Sequence, residues 1–283
     1  MTSILTRLVL PLAKWTERKT WFSIFKARRC HFTMQNHASK CVVPDYQTRL
    51  AFPPDYDRVM TFMCDAYYKY DPVTVNMGLN CDEPASSLLD IMYNEIREGM
   101  TIIAEEQNGC IIGAAVNAGS CPWDPDRIEK FARCCERGPV RDVLEFEAYV
   151  TRKPDLWKRY RVLKIFECRY IAVAPDVRNR GIARKLVLDS WYLARDCSYR
   201  LFRIDCSNRF LARIAEGFKW ERICSISFNQ YCKDDELVFQ HIEEPHTEVE
   251  IYVDQVRFCK DYCPPYKSCK TTTAAPNINM RKI

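Results

Sequence analysis

Glycine is scarce, with 8 residues in 283, which excludes a collagen-like repeat or a protein built on flexible glycine linkers. No apolar run reaches the roughly 18 residues that mark a membrane-spanning helix, so no membrane span is expected. Histidine is rarer still, at 4. His31, His37, His241 and His246 form no H-E-x-x-H or C-x-x-C-H arrangement, and Cys259, Cys263 and Cys269 near the end lack the paired spacing of a zinc site. No metal is therefore expected. A secretory signal is not expected either, because Arg7 interrupts the first apolar stretch and no small-residue cleavage site follows. The 16 cysteines then read as free thiols rather than a disulfide framework. Cys64, Cys168, Cys197 and Cys206 fall in apolar-patterned elements, where a thiol behaves as a small hydrophobe.

What is present is ordinary for a globular chain, 47% hydrophobic and 28% charged. The formal net charge of +5 is unevenly placed. Residues 1–40 hold 8 basic side chains against Glu17, and residues 257–283 hold 6 against Asp261. Of 42 Lys+Arg and 37 Asp+Glu, 28 basic and 35 acidic residues thus remain in 41–256, a net of −7. The chain reads as an acidic domain over 46–256 with a basic extension (1–45) and a basic, Cys- and Pro-containing tail (257–283) expected to lack fixed structure. The extension is rich in Arg, Ser and Thr and resembles an organellar transit peptide. The expected location is cytoplasmic, with a mitochondrial alternative resting on this extension. With the positive charge outside the domain, no nucleic-acid partner is expected.

Residues 46–52 read as a strand. Asp55 can cap a helix in which Val59, Phe62, Met63, Ala66, Tyr67 and Tyr70 recur at helical spacing, and Pro72 ends it. A second helix begins at 82–84 and stops at Gly99. Runs 100–105 and 110–118, joined through Asn108-Gly109, read as a β-hairpin. Residues 121–160 are charged and helix-prone, with prolines as breaks. Strand 164–173, helix 179–197, strand 201–206, helix 208–218 and strands 220–231 and 249–256 follow. The alternation of element types indicates one α/β domain.

The most informative stretch is ECRYIAVAPDVRNRGIARKL, 167–186. An apolar strand ends at Val173, and a turn through Pro175 leads into the next helix. Free N–H groups and the positive dipole end of a helix start suit a phosphate or pyrophosphate. Gly181 removes a Cβ where a ligand must approach, and Arg178 and Arg180 add charge.

R-x-x-G-x-A after a strand ending V-x-P, with Arg178, Gly181 and Ala183 in the key places, is similar to the acyl-CoA-binding motif Q/R-x-x-G-x-G/A of the GNAT N-acetyltransferases. Segments 66–78, 204–216 and 228–239 further resemble the invertebrate arylalkylamine N-acyltransferases, which acetylate dopamine, octopamine and serotonin. The resemblance covers nearly all of 46–256. It implies an α/β fold with a mixed, mostly antiparallel central sheet flanked by helices. It also implies acetyl-CoA as acyl donor, held by Ile171, Ala172 and Val173 on the strand and by Arg178, Asn179, Arg180, Gly181, Ile182 and Ala183 at the turn. Its small-molecule partners would be acetyl-CoA and an amine, and the chain is expected to act as a monomer.

Acyl transfer needs a base for the amine, a donor for the thioester oxygen and a proton for the leaving thiolate. The resemblance places the base at Asp71, before Pro72, where the family has Glu; Asp71 equally reads as a turn or cap residue. Glu167 is the second candidate, placed by strand alternation on the side of Arg169, Ile171 and Val173; it also reads as a partner of Arg169. Of two family serines four residues apart, Ser207 is retained and the other is Leu211. The family's tyrosine acid falls at Ala215, leaving the thiolate's proton donor to Ser207 or solvent, and Lys219-Trp220 stands in place of a Gly-Phe pair. Tyr67, Tyr68, Tyr70 and Trp123 lie in segments that shape the amine pocket in the family; Tyr67 and Tyr70 also read as core. Two other functions fit the same pattern, transfer to another acceptor (a polyamine, an amino acid or a protein lysine) and acyl-CoA binding without catalysis.

Overall fold

The computed structural model describes residues 46–82 and 84–256. The extension and the tail, with His31, His37 and the terminal cysteines, lie outside the described residues. Strand β1 is Tyr46–Leu50 and helix α1 is Tyr56–Met63, continued by a wider π turn over Cys64–Tyr68. Two helices follow, α2 (Pro72–Asn76) and α3 (Ser86–Ile96), then strands β2 (Ile102–Glu106) and β3 (Ile111–Ser120). The charged segment forms α4 (Asp124–Cys134), α5 (Pro139–Arg152) and α6 (Leu156–Tyr160). Next come β4 (Ile165–Val173), α7 (Ile182–Asp196), β5 (Leu201–Cys206), α8 (Arg209–Gly217) and β6 (Glu221–Ser227). A small hairpin, β7 (Cys232–Lys233) with β8 (Glu236–Leu237), precedes β9 (Glu248–Gln255).

The main sheet has seven strands in the order β1-β2-β3-β4-β5-β9-β6. Every neighbouring pair is antiparallel except β4 with β5, so the sheet is mixed and mostly antiparallel. Both faces are covered. On β2, Ile102 and Ala104 join the core under α7, while Ile103 joins the core under α1 and α3, as the two-residue period of a strand dictates. Helix α7 buries Ile182, Leu186, Val187 and Trp191, each contributing roughly 1.5–3 kcal/mol by removal from water. The Trp191 indole N–H also donates to Asp254 on β9 at 2.8 Å. Gly113 on β3 lets the helix sit close, since a Cβ there would meet Ile182 and Leu186 at 3.0 Å.

Several boundaries differ from the sequence pattern. The π turn inserts one extra residue per turn and rotates the face after Met63. Tyr68 is consequently buried, and Tyr70, expected in the core, is 50% exposed. Pro72 does not end a helix but opens α2, where its missing N–H costs nothing. Helix α7 starts at Ile182 rather than 179, because Asn179 and Gly181 have φ of 63° and 80°. Lys219 has φ of 60° and occupies the left-handed position that ends α8, a place that favours glycine. Cys168 and Cys206 are buried as expected, but Cys197 is exposed. Among the described residues, no helix is long and apolar enough to cross a membrane.

Candidate active site at the split between β4 and β5

The parallel ladder joins β4 and β5 only where Phe166, Glu167 and Cys168 face Phe202, Arg203 and Ile204. Beyond Cys168, β4 continues to Val173 on β3 alone, and β5 continues to Cys206 on β9 alone. The sheet opens there, and the free side of β4 presents unpaired N–H and C=O groups, as a strand edge does. A bulge marks the opening: Val116 pairs with Tyr170 and Asn117 with Cys168, so Arg169 is the extra residue. The bulge breaks the alternation expected along β4. Ile171 and Val173 turn toward the α7 core, whereas Tyr170 packs against Tyr67, ring centroids 5.3 Å apart. Glu167 therefore does not share a side with Ile171 and Val173.

The far end of β4 leads into the turn before α7. Arg178 folds back, its Nε donating to the Val173 carbonyl at 3.1 Å and its guanidinium resting 4.4 Å from the Tyr70 ring centroid. Gly181 is the N-cap of the 15-residue α7, offers no capping side chain, and no acid stands in the first turn. A Cβ on Gly181 would meet nothing within 4 Å. These features fit an acyl-CoA. The helix start offers N–H groups to a pyrophosphate, exposed Arg178, Asn179 and Arg180 border it, and the open side of β4 can receive an amide-bearing chain. Of the other residues expected to hold the donor, Ile171 borders the cavity described next, and Ala183 is half-buried. The side chains of Ala172, Val173 and Ile182 lie in the cores, so these three present only backbone.

A cavity lies on the β4–β5 opening. Its walls include Tyr67, Tyr68, Asp71, Leu88, Ile91, Phe146, Glu147, Glu167, Arg169, Tyr170, Asp205, Ser207 and Leu211. Asp71 caps α2, its Oδ2 accepting from the Val73 and Thr74 N–H groups at 3.1 and 3.2 Å. Its Oδ1 accepts from the Ser207 hydroxyl at 2.7 Å. The capping role and the place in the cavity wall thus coexist in one carboxylate. Burial pushes the Asp71 carboxyl above its usual range; the bonds from Ser207, Thr74, Val73 and the Tyr67 hydroxyl partly oppose this.

Glu167 lines the same cavity but is differently engaged. Its carboxylate faces Arg169 at 3.3 Å and the fully buried Arg203 at 3.7 Å. Burial would raise it, yet the two guanidiniums hold it below the usual range. A carboxylate so stabilised is a weak proton acceptor. Arg169 also pairs with Glu147 and, at 2.8 Å, with Glu95. Burial raises both of these glutamates, Glu95 to about 8. Tyr70 and Trp123, expected near the amine, do not line the cavity; Trp123 is 58% exposed.

Sequence reasoning missed Arg203, Asp205, Glu147, Glu95 and His246. The first two left a signal, a charged pair inside the otherwise apolar strand LFRIDC. Glu147 and Glu95 sit in helices whose charge pattern looks like any solvated face. His246 lies in the loop before β9, where its Nδ1 accepts from the Arg209 N–H at 3.2 Å at the start of α8. Burial lowers its pKa, while the Asp71 charge pulls it up.

No protein-family profile matches the chain. Solved structures do. An arylalkylamine N-acetyltransferase from Aedes aegypti superposes with a TM-score of 0.71 at 20% identity, over 75% of this chain and 100% of that one. A Drosophila melanogaster polyamine N-acetyltransferase that forms N-acetylagmatine gives 0.68 at 21%, over 75% and 100%. A mosquito arylalkylamine N-acetyltransferase-like protein gives 0.70 at 20%, over the same shares. The chain has the same fold as these N-acetyltransferases. Arylalkylamine and polyamine N-acetyltransferases are thus among the structures it resembles.

Proposed function

We propose that the chain is an acyl-CoA-dependent N-acyltransferase that moves the acetyl group of acetyl-CoA to a primary amine. The observation that carries this reading is the one-sided opening of the sheet, which joins a helix start fit for pyrophosphate to the Asp71–Ser207 pair. The tyrosines and carboxylates of the cavity suit a cationic amine with an aryl body, and arylalkylamines such as dopamine, octopamine and serotonin are the first acceptors to test.

The amine enters as an ammonium ion and must lose a proton before it attacks. Asp71 takes that proton; its raised affinity makes it the better base, and Glu167, held ionised by Arg169 and Arg203, is assigned an electrostatic role instead. The neutral nitrogen then attacks the thioester carbonyl in a ternary complex. A C–N bond forms and the C–S bond breaks. N–H groups on the open edge of β4 are available to the developing oxyanion. The leaving thiolate receives one proton, returned from Asp71 through the Ser207 hydroxyl, and the amide nitrogen sheds its second proton to solvent.

Glu147 favours a second reading of the acceptor. It lines the cavity and pairs with Arg169, and such a wall also suits a polyamine or a guanidino-amine. Thermal unfolding of the full chain with acetyl-CoA, then thiol release over a panel of arylalkylamines, diamines and amino acids, tests both readings. Saturating acetyl-CoA should raise Tm, since a ligand at about 100 times its Kd adds about 2.7 kcal/mol. No rise would sink the proposal. A rise without turnover of any amine would instead favour an acyl-CoA-binding module.

A further inference from the structure

Asp71 has one more neighbour than catalysis by the Asp71–Ser207 pair uses. Tyr67 lies one turn before it, and its backbone carbonyl accepts the Asp71 N–H at 2.9 Å. The Tyr67 side chain lines the same cavity as Asp71, and its hydroxyl is among the groups that draw the pKa of the Asp71 carboxyl down. The ring is held edge-on by Tyr68 at 5.4 Å and by Tyr170 at 5.3 Å. Tyr67 therefore stands as a wedge between the bulged strand β4 and the carboxylate. On the other side of the cavity, α8 presents Leu211 one turn after Ser207, and a leucine offers the carboxylate no hydrogen bond.

We propose that Tyr67 is the positioning residue for Asp71: its hydroxyl is the carboxylate's second side-chain donor beside Ser207, and its clamped ring sets the carboxylate's distance from β4. This rests on the acyl-transfer reading above. Tyr67 keeps its proton throughout, because burial and the Asp71 charge hold the phenol well above its usual range. It acts by orienting Asp71 and by stabilising the ionised carboxylate.

Tyr67→Phe removes the hydroxyl and keeps the ring. Tyr68→Phe is the matched control, because the Tyr68 hydroxyl donates elsewhere, to the Leu88 carbonyl at 3.1 Å. In the full chain, Tyr67→Phe should lower kcat about tenfold or more, in the range of general acid–base effects, with KM for acetyl-CoA within about twofold. The acidic limb of kcat/KM should move to higher pH, because a bond to the ionised form is lost. Tyr68→Phe should leave that limb in place. Titration of the Asp71 carboxyl by NMR of ¹³C-labelled aspartate, in wild type and Tyr67→Phe, needs no turnover. An upward shift in Tyr67→Phe alone supports the proposal. An unmoved Asp71 titration, or an equal shift in both variants, overturns it while leaving acyl transfer standing. An inactive wild type whose Asp71 still shifts in Tyr67→Phe overturns the acyl-transfer reading and keeps the hydroxyl's hold on Asp71.

Discussion

The Ser207 hydroxyl donates to Oδ1 of Asp71 at 2.7 Å across 136 residues of sequence, tying the end of β5 to the cap of α2. The bond couples two elements that both contribute to the wall of the cavity. It also makes the proton affinity of the carboxylate depend on a residue from another strand.

Asp71→Asn retains a side-chain oxygen for the cap but cannot accept a proton. It should lower kcat/KM by about 10² or more and change stability little. Ser207→Ala removes a bond to the ionised carboxylate, so the Asp71 carboxyl rises further. Activity that depends on ionised Asp71 should then appear only at higher pH, and a kcat/KM profile should show the acidic limb displaced upward. An unmoved limb would separate the serine from the base.

The turn before α7 was legible because it depends on local patterns: an apolar run ending at Val173, a glycine at 181, a strong amphipathic helix behind it. The mixed, mostly antiparallel sheet came only through the family resemblance. Asp71 and Ser207 were each singled out through the family resemblance, and their direct bond is a finding of the structure. What stayed hidden depends on long-range placement. The bulge at Arg169 reverses which residues of β4 share a side, and nothing in IFECRYIAV marks it, because a bulge is defined against the partner strand. The π turn at Cys64–Tyr68 likewise moved Tyr70 out of the expected core. Glu147 was invisible because only Arg169, on another element, distinguishes it from a solvated glutamate.

Gly181 separates backbone cost from ligand cost. Its φ of 80° disfavours any L side chain, yet a Cβ would touch no protein atom. Gly181→Ala should therefore lower the stability of the free chain by about 1–2 kcal/mol. It should also shrink the rise in Tm produced by acetyl-CoA, since the methyl group fills the space assigned to the pyrophosphate. A ligand-induced rise equal to wild type would place the donor elsewhere.

Arg203 is 0% exposed and is held by four partners: Asp205 at 2.6 Å, Glu167 at 3.7 Å, and the carbonyls of Val150 and Thr151 at 3.1 and 3.3 Å. It fastens the end of α5 to β5 beneath the cavity. Arg203→Met keeps much of the volume but leaves buried carboxylates with less compensation. Urea unfolding should show a loss of about 3–5 kcal/mol. Adding Asp205→Asn should recover part of it, because one uncompensated charge is then gone.

Glu95 gives the pH dependence its sign. In the folded chain it holds its proton up to about pH 8, against the usual 4.5 of an unfolded glutamate. Between those values the folded state binds more protons than the unfolded one, so this group's contribution to stability falls as pH rises through that window. The physical cause is burial first, with Glu147 and Glu167 adding repulsion that Arg169 only partly offsets. Glu95→Gln removes the ionisation while keeping the shape. It should match wild type near pH 4.5 and exceed it by about 1 kcal/mol or more above pH 8, measured as the unfolding free energy across the range. Equal stability at both ends would mean that Glu95 is ionised in the folded chain at neutral pH. Arg169 would then face a full extra negative charge.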